Sequence, residues 1–217
     1  MARILMAEVI GTFLLVLIGC GTVIIDVTND GALGLLGLAI CWGATVTTLV
    51  YALGPVSGAH INPAMTFGLA LDGKFPWKKV APYFIAQIIG ATLAAIALYF
   101  FYPGSPTLGQ TMPAGSIAQS FAIEVLITFI LMFVVLRFAA GPEGRETQAG
   151  IGIGFTVLVL VALGGPISGA SINPARSIGP ALVGGDLTSL WIYVTAPFIG
   201  AAIAVALDRV LVPRGSV

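Results

Sequence analysis

The chain consists of long apolar segments separated by short polar connections. Six of these segments approach the length of about 20 residues that an apolar helix needs to cross a bilayer. Gly, Ala, Ser and Thr are frequent within them, which favours close packing of helices in lipid. The pattern therefore predicts six transmembrane helices, at residues 4–25, 33–53, 80–102, 117–140, 148–164 and 190–210.

Two further apolar segments are too short to cross a bilayer, and they resemble each other. They begin as SGAHINPAM at Ser57 and SGASINPAR at Ser168, and twelve of eighteen positions are identical when Gly54 is aligned with Gly165. Gly54 and Pro55 are expected to break the apolar run before the first segment. Because lipid cannot satisfy an irregular backbone, such half-length segments must be buried among the other helices.

Each short segment contains the tripeptide Asn-Pro-Ala. Asn is a preferred N-cap and Pro suits the first helical position, so a short helix is predicted to begin at each box. The positive end of each helix dipole would then point toward the middle of the membrane. The two boxes are formed by Asn62, Pro63, Ala64, Asn173, Pro174 and Ala175.

The repeat extends over the whole chain. Asn62 and Asn173 are 111 positions apart, so each half contains three spans and one short helix. The first repeat covers about 4–102 and the second about 117–210. Since three is odd, the second half is inverted, as in proteins whose site lies near the membrane midplane. The prediction is one all-α membrane domain over residues 1–210.

The composition requires lipid around the protein. Hydrophobic residues make up 58% of the chain and charged residues 8%, and the mean hydropathy is +1.07. So few charges cannot cover a soluble surface. The net charge is zero, which leaves no electrostatic footprint for nucleic acid. One His and two Cys in apolar runs predict no metal, no cofactor and no disulfide framework.

The basic residues predict the orientation. Eight of the nine Lys and Arg residues fall on one side when the N-terminus is placed in the cytoplasm, as the positive-inside rule requires. The protein is therefore expected in the cell's inner (plasma) membrane, with both termini cytoplasmic. Arg176, next to the second box, is the exception and needs a functional reason. The motif LVPRGS, residues 211–216, matches a thrombin cleavage site and is treated as an appended purification sequence.

Paired Asn-Pro-Ala boxes in inverted halves of three spans resemble the major intrinsic proteins, the aquaporins and glycerol facilitators, over residues 4–210. The stretches AEVIGTFLLVLIGCGT, FPWKKVAPY, SGASINPARSIGPALV and LWIYV are similar to the nodulin-26-like branch, and the short termini fit a prokaryotic member. The resemblance implies a passive channel, one pore per chain and a homotetramer. Asn62 and Asn173 would donate hydrogen bonds to water and small neutral solutes.

The family's outer constriction is expected at four positions, which are Trp42, Val161, Ala170 and Arg176. Val161 stands where water-selective members have His, which widens the pore. Trp42 offers an apolar face opposite the donors of Arg176. This set matches the glycerol-permeable nodulin-26-like channels and implies passage of glycerol and neutral metalloid hydroxides. Ser177 replaces the Asp of glycerol facilitators, which leaves the relative rates of water and glycerol open.

Three polar side chains in the apolar segments allow two interpretations. Glu8 and Glu124 lie within predicted spans, where carboxylates are usually functional. They are either proton relays or, as their symmetry favours, acceptors for the backbone of the two short segments. His60 either lines the pore or braces its loop.

A coupled secondary transporter is the alternative function, because inverted repeats also occur in transporters. Asn amides and an Arg that cannot lose its proton favour the channel. An intramembrane enzyme is not predicted, since no nucleophile and base can be paired around the single His.

Overall fold

The computed structural model describes residues 1–105, 107–139 and 148–211, without the side chain of Ala139. Six of the helices in this part of the chain are long and apolar enough to span a membrane, and α3 and α7 have half that length. The predicted all-α fold is therefore confirmed. Arg145 and residues 212–217, most of the LVPRGS motif, lie outside the described residues. The helices are α1 (Ala2–Thr28), α2 (Gly34–Ser57), α3 (Pro63–Leu71), α4 (Val80–Phe101), α5 (Ile117–Ala139), α6 (Ala149–Ser168), α7 (Pro174–Gly184) and α8 (Leu190–Leu211).

The predicted break at Gly54 and Pro55 is wrong. Helix α2 continues through both residues to Ser57, and α6 runs through the equivalent Gly-Pro pair to its own end. A proline in the last turn removes only one intrahelical hydrogen bond, so the helix tolerates it there. The break comes instead at Gly58, which has a φ of 87° and whose N–H bonds to the Gly54 carbonyl at 2.9 Å.

Glycines let the spanning helices pack backbone to backbone. A Cβ on Gly90 of α4 would lie 2.3 Å from a carbonyl oxygen of α1, and a Cβ on Gly200 of α8 equally close to one of α5. A Cβ on Gly43 of α2 would lie 2.7 Å from a carbonyl oxygen of α6. In lipid such close approach replaces the hydrophobic effect as the source of helix association. The α1–α4 contact of one half thus has its counterpart in the α5–α8 contact of the other.

The half-length helices occupy the space between the two halves of the bundle. Helix α3 packs against α4, α5 and α8, while α7 packs against α1, α4 and α8. Most of their residues are buried, as the hydrogen-bonding demand of irregular backbone in lipid requires. The two helices also touch each other, which brings the Asn-Pro-Ala boxes together at the centre of the molecule.

Ion pairs tie the far end of α3 to α8. Asp72, which caps α3, pairs with Lys74 and lies 3.7 Å from the Nε of Arg209, which also donates to the carbonyl of Leu71. The Nη2 of Arg137 on α5 lies 2.6 Å from the carboxylate of Asp208 on α8. These basic side chains therefore gather at one end of the bundle.

Candidate functional site

The two Asn side chains each cap a half-length helix through their oxygen. The Oδ1 of Asn62 accepts from the N–H of Ala64 at 2.8 Å, and that of Asn173 from the N–H of Ala175 at 3.0 Å. Both Asn residues have extended backbones, and a Pro follows each at the first helical position. Because the oxygens face their own helices, the amide nitrogens face away from them.

Each amide nitrogen donates a hydrogen bond to the backbone of the opposite half of the molecule. The Nδ2 of Asn62 donates to the carbonyl of Ile172 at 3.0 Å, and the Nδ2 of Asn173 donates to the carbonyl of Ile61 at 2.8 Å. Both Asn residues also line a cavity of about 630 Å³. An amide carries two N–H groups, so each side chain retains one donor for a molecule in that cavity. The two boxes thus form a paired donor site between the half-helix N-termini.

The loops before the boxes have an unusual backbone. Ile61 and Ile172 have φ angles of 42° and 59°, and Ala59 and Ala170 have φ angles of 47° and 44°. This left-handed conformation is unfavourable for a β-branched residue. It persists because the carbonyls of the two Ile residues accept the crossed Asn hydrogen bonds and because their N–H groups bond to buried carboxylates.

Glu8 is the buried acceptor for the first loop. Its Oε1 accepts from the Ser57 hydroxyl at 2.7 Å and the His60 N–H at 3.0 Å. Its Oε2 accepts from the Ile61 N–H at 2.7 Å and the Gln87 amide at 2.8 Å. The carboxylate is fully buried and lines neither cavity described below. Both oxygens of the Glu8 carboxylate therefore accept hydrogen bonds from the first loop, as expected of the loop-support alternative.

Glu124 occupies the same place in the second half. Its carboxylate accepts from the Ser168 hydroxyl at 2.7 Å and from the N–H groups of Ser171 and Ile172 at 2.8 and 2.9 Å. It too is fully buried and lines neither cavity. Glu124 differs from Glu8 in one respect. Gln87 donates a side-chain amide hydrogen bond to Glu8, and in the described part of the chain no side-chain amide donates to Glu124.

Two tyrosines that sequence reasoning missed complete these supports. Tyr83 donates to the carbonyl of Ser57 and Tyr193 donates to the carbonyl of Ser168, both at 2.8 Å. The two tyrosines are 110 positions apart, close to the spacing of the boxes. That repeat spacing was the signal that could have revealed them.

The sequence left two alternatives for His60, lining the pore or bracing its loop, and the location of the side chain is compatible with both. It lines the large cavity, and its Nδ1 lies 3.1 Å from the hydroxyl of Thr66 on α3. Its ring also contacts Phe75 and Tyr83, with centroids 4.6 and 5.0 Å away. The histidine therefore braces the loop and presents one edge to the cavity.

Two cavities meet at the predicted constriction. An inner cavity of about 630 Å³ contains both Asn residues in its lining, and an outer cavity of about 290 Å³ contains Arg176. Trp42 and Val161 line both cavities, and Ala170 lines the inner one. The four predicted filter positions thus lie together, at the boundary between the two spaces.

Arg176 faces the indole of Trp42 across this boundary. Its Cζ lies 4.9 Å from the ring centroid, within the range of a cation–π contact. Its Nη1 donates to the carbonyl of Gly109 at 2.8 Å. The side chain is only 2% exposed, and among the described residues its Nε has no hydrogen-bond partner and no carboxylate lies at ion-pair distance from it. The boundary therefore combines an apolar wall with a positive donor.

Two polar residues of the outer cavity were also missed from the sequence. Asp26 lines it, and its Oδ1 accepts from the N–H groups of Leu33 and Gly34 at 2.9 and 2.8 Å, where α2 begins. Gln110 lines it as well, and its amide donates to the carbonyl of Asp186 at 2.6 Å. Asp26 belongs to the last turn of α1 and Gln110 to the connection between α4 and α5, so neither lies in the two short Asn-Pro-Ala segments whose repetition pointed to the rest of the site.

The fold and this geometry define an integral, multi-pass membrane protein with two inverted half-helices whose N-termini meet at a largely apolar cavity. The family model described as "Major intrinsic protein" matches residues 1–207. The chain belongs to the major intrinsic protein family, which confirms the resemblance seen in the sequence.

Individual relatives support the same assignment. The chain is 46% identical to aquaporin NIP1-1 of Zea mays over 198 residues and 47% identical to aquaporin NIP1-2 of Arabidopsis thaliana over 205 residues. Each alignment covers 91% of this chain and 70% of the relative. The structure is similar to the X-ray structure of the aquaglyceroporin from Plasmodium falciparum, with a TM-score of 0.88, 26% identity, and coverage of 98% of this chain and 97% of that one.

Proposed function

We propose that the protein is a passive channel for water and small uncharged solutes, with a filter wide enough for glycerol. The observation that carries this proposal is the boundary between the cavities, where the Trp42 indole faces the Arg176 guanidinium at 4.9 Å. A solute that passes from the outer to the inner cavity must pass Trp42 and Val161, which line both. The filter is therefore an apolar ring with a cationic donor at one side.

This combination suits a polyol better than it suits water alone. The carbons of glycerol can lie on the indole while its hydroxyl oxygens accept hydrogen bonds from the Arg176 guanidinium. Val161 contributes only an apolar surface, so it neither competes for the solute's hydrogen bonds nor narrows the passage as a His would. Neutral hydroxides of boron or arsenic present the same hydroxyl groups on a compact body, and we place them in the same substrate class.

The paired Asn site accounts for the exclusion of protons. A water molecule between Asn62 and Asn173 would offer its oxygen to both free N–H groups, which turns its hydrogens away from a continuous chain. The two helix N-termini add positive potential at the same point. Cations and protons therefore meet a barrier in the middle of the pore that a neutral solute does not meet.

The assembly and orientation belong to the same proposal. The chain belongs to the major intrinsic protein family, and the resemblance to that family implies a homotetramer with one pore per chain, which we propose here. Large exposed apolar side chains on the spanning helices, such as Ile85, Phe155 and Ile203, suit contact with lipid or a neighbouring subunit. Lys74, Arg137 and Arg209 gather at one end, which favours cytoplasmic termini in the plasma membrane.

The coupled transporter remains a second candidate because of two observations. His60 lines the inner cavity and Asp26 lines the outer one, so the pathway does contain titratable groups. Both are already engaged, His60 beside Thr66 and Asp26 with two N–H groups of the α2 terminus. The channel proposal requires that neither binds a proton as part of solute transfer.

The solute is tested by stopped-flow light scattering on proteoliposomes. Wild-type protein should accelerate both water and glycerol flux relative to empty liposomes. Val161→His narrows the ring and adds a polar group, so glycerol flux should fall by about tenfold or more and water flux by much less. Val159→Ile, on the same helix but 48% exposed and outside both cavity linings, serves as the control and should keep the wild-type fluxes. An equal loss of water and glycerol in Val161→His, or wild-type glycerol flux equal to that of empty liposomes, would contradict the proposed filter.

A further inference from the structure

One face of α1 borders the pore on both sides of the filter. Leu15 lines the inner cavity, while Val23 and Asp26 line the outer one. Residues four apart lie above one another on a helix. Gly19, midway between Leu15 and Val23, therefore belongs to this face at the level of the filter.

Gly19 lines neither cavity because the indole of Trp42 covers it. A Cβ on Gly19 would lie 2.3, 2.4 and 2.5 Å from the Cη2, Cζ2 and Cζ3 atoms of that ring. Carbon atoms in contact are about 3.5–4.0 Å apart. The six-membered ring of the indole thus occupies the volume that a side chain at position 19 would need.

We propose that Gly19 is a specificity-determining position that acts through Trp42. By having no side chain it lets the indole withdraw toward α1, which sets the width of the passage on the apolar side of the filter. A methyl group there must push the ring by about 1 Å toward the pore to reach an ordinary contact distance. This inference rests on the proposed function, since it takes Trp42 as part of the wall that selects the solute.

The next residue of α1 holds the opposite side of the filter. A Cβ on Gly109 would lie 2.7 Å from both the Cβ and the carbonyl oxygen of Cys20. The carbonyl of Gly109 accepts the hydrogen bond from Arg176 Nη1. Consecutive residues of one helix therefore support the indole and the loop that positions the guanidinium. Because both supports belong to rigid helical backbone, a side chain at position 19 changes one side of the filter while the other stays in place.

The test compares Gly19→Ala with wild type in proteoliposomes at equal protein content. Glycerol permeability should fall by about tenfold and water permeability by less than about threefold, since pore diameter acts more strongly on the larger solute. Gly21→Ala is the matched control, because its Cβ would meet only the end of the Leu98 side chain, at 3.3 Å. Gly21→Ala should keep the wild-type ratio. A wild-type ratio in Gly19→Ala would overturn the inference.

A second variant covers the case in which Gly19→Ala does not fold. Trp42→Phe has a smaller ring, so Gly19→Ala combined with Trp42→Phe relieves the clash. The double variant should fold and conduct glycerol much as Trp42→Phe alone does. In a double-mutant cycle, Gly19→Ala would then lower glycerol flux when residue 42 is Trp and have little effect when it is Phe. If Gly19→Ala lowers glycerol flux by the same factor with either ring, the effect does not pass through Trp42 and the inference is wrong.

Failure of the proposed function has a different signature. If wild type conducts water but no glycerol, the proposed solute is wrong whatever Gly19 does. The inference is then decided by a cryo-electron microscopy structure of Gly19→Ala. A Trp42 ring displaced toward the pore supports the inference, and a ring in its original place contradicts it.

Discussion

Arg176 is a buried cation with unused hydrogen-bonding capacity. It is 2% exposed, its Nη1 bonds to Gly109, and its Nε has no partner among the described residues. The side chain also lines the outer cavity, where its guanidinium can donate to a passing molecule. In the inverted repeat the equivalent position is Met65, which lines the inner cavity without charge. The two halves of the molecule thus differ in charge at this position, with Met65 lining the inner cavity and Arg176 the outer one.

Removal of this charge should open the pore to cations. In Arg176→Val the outer barrier loses this guanidinium, and we expect proton leakage through proteoliposomes to rise by about tenfold, which corresponds to about 1.4 kcal/mol of barrier. Fluorescent pH indicators inside the vesicles measure the leak. Met65→Leu, the change at the equivalent place in the other half, should show no added leak. A leak in Met65→Leu as large as in Arg176→Val would mean that general loosening, rather than charge, is responsible.

The two loops before the Asn-Pro-Ala boxes depend on tertiary contacts. Ile61 and Ile172 have positive φ angles, against the preference of β-branched residues. Glu8 and Glu124 each supply acceptors for these loops, but their surroundings differ. Gln87 donates to Glu8 and has an Oε1 without a partner among the described residues, whereas the described partners of Glu124 are a Ser hydroxyl and two N–H groups.

Amide substitutions of the two carboxylates should therefore have unequal effects. Glu124→Gln puts an NH₂ group against N–H donors, and we expect a loss of about 1–3 kcal/mol in the free energy of unfolding. Glu8→Gln should lose less, because the Gln87 amide can rotate and present its unpaired Oε1 to the new NH₂ group. Thermal unfolding in one detergent compares the two. Equal losses would show that Gln87 does not compensate.

Much of the whole molecule could be predicted from the repeat. Two boxes 111 positions apart, each with its own capping residues, predict the inverted halves and the meeting of α3 and α7. The C-terminal ends of α2 and α6 were harder to predict. Pro55 and Pro166 each lie in the last turn of a helix that continues past them. Local pattern cannot show whether a helix ends before such a proline, because the loss of one intrahelical hydrogen bond is tolerated in the last turn.

The filter could be located from the family resemblance but not from local physics. Trp42 and Val161 lie far from the boxes in sequence, and no periodicity connects them to Arg176. Gly109, which holds Arg176, belongs to a connection that the repeat does not include. The packing of Trp42 against Gly19 likewise depends on the distance between two helices. Such contacts are set by the three-dimensional structure alone.

The central claim is that neutral solutes pass through the whole molecule without coupling to protons. The most direct test loads proteoliposomes with a pH indicator and follows glycerol uptake and internal pH together, over a wide range of glycerol concentrations. For a passive channel we expect an initial rate that rises linearly with glycerol concentration and no change of internal pH. A rate that saturates at modest concentration, together with a pH change in fixed proportion to the glycerol taken up, would contradict the channel and support a coupled transporter.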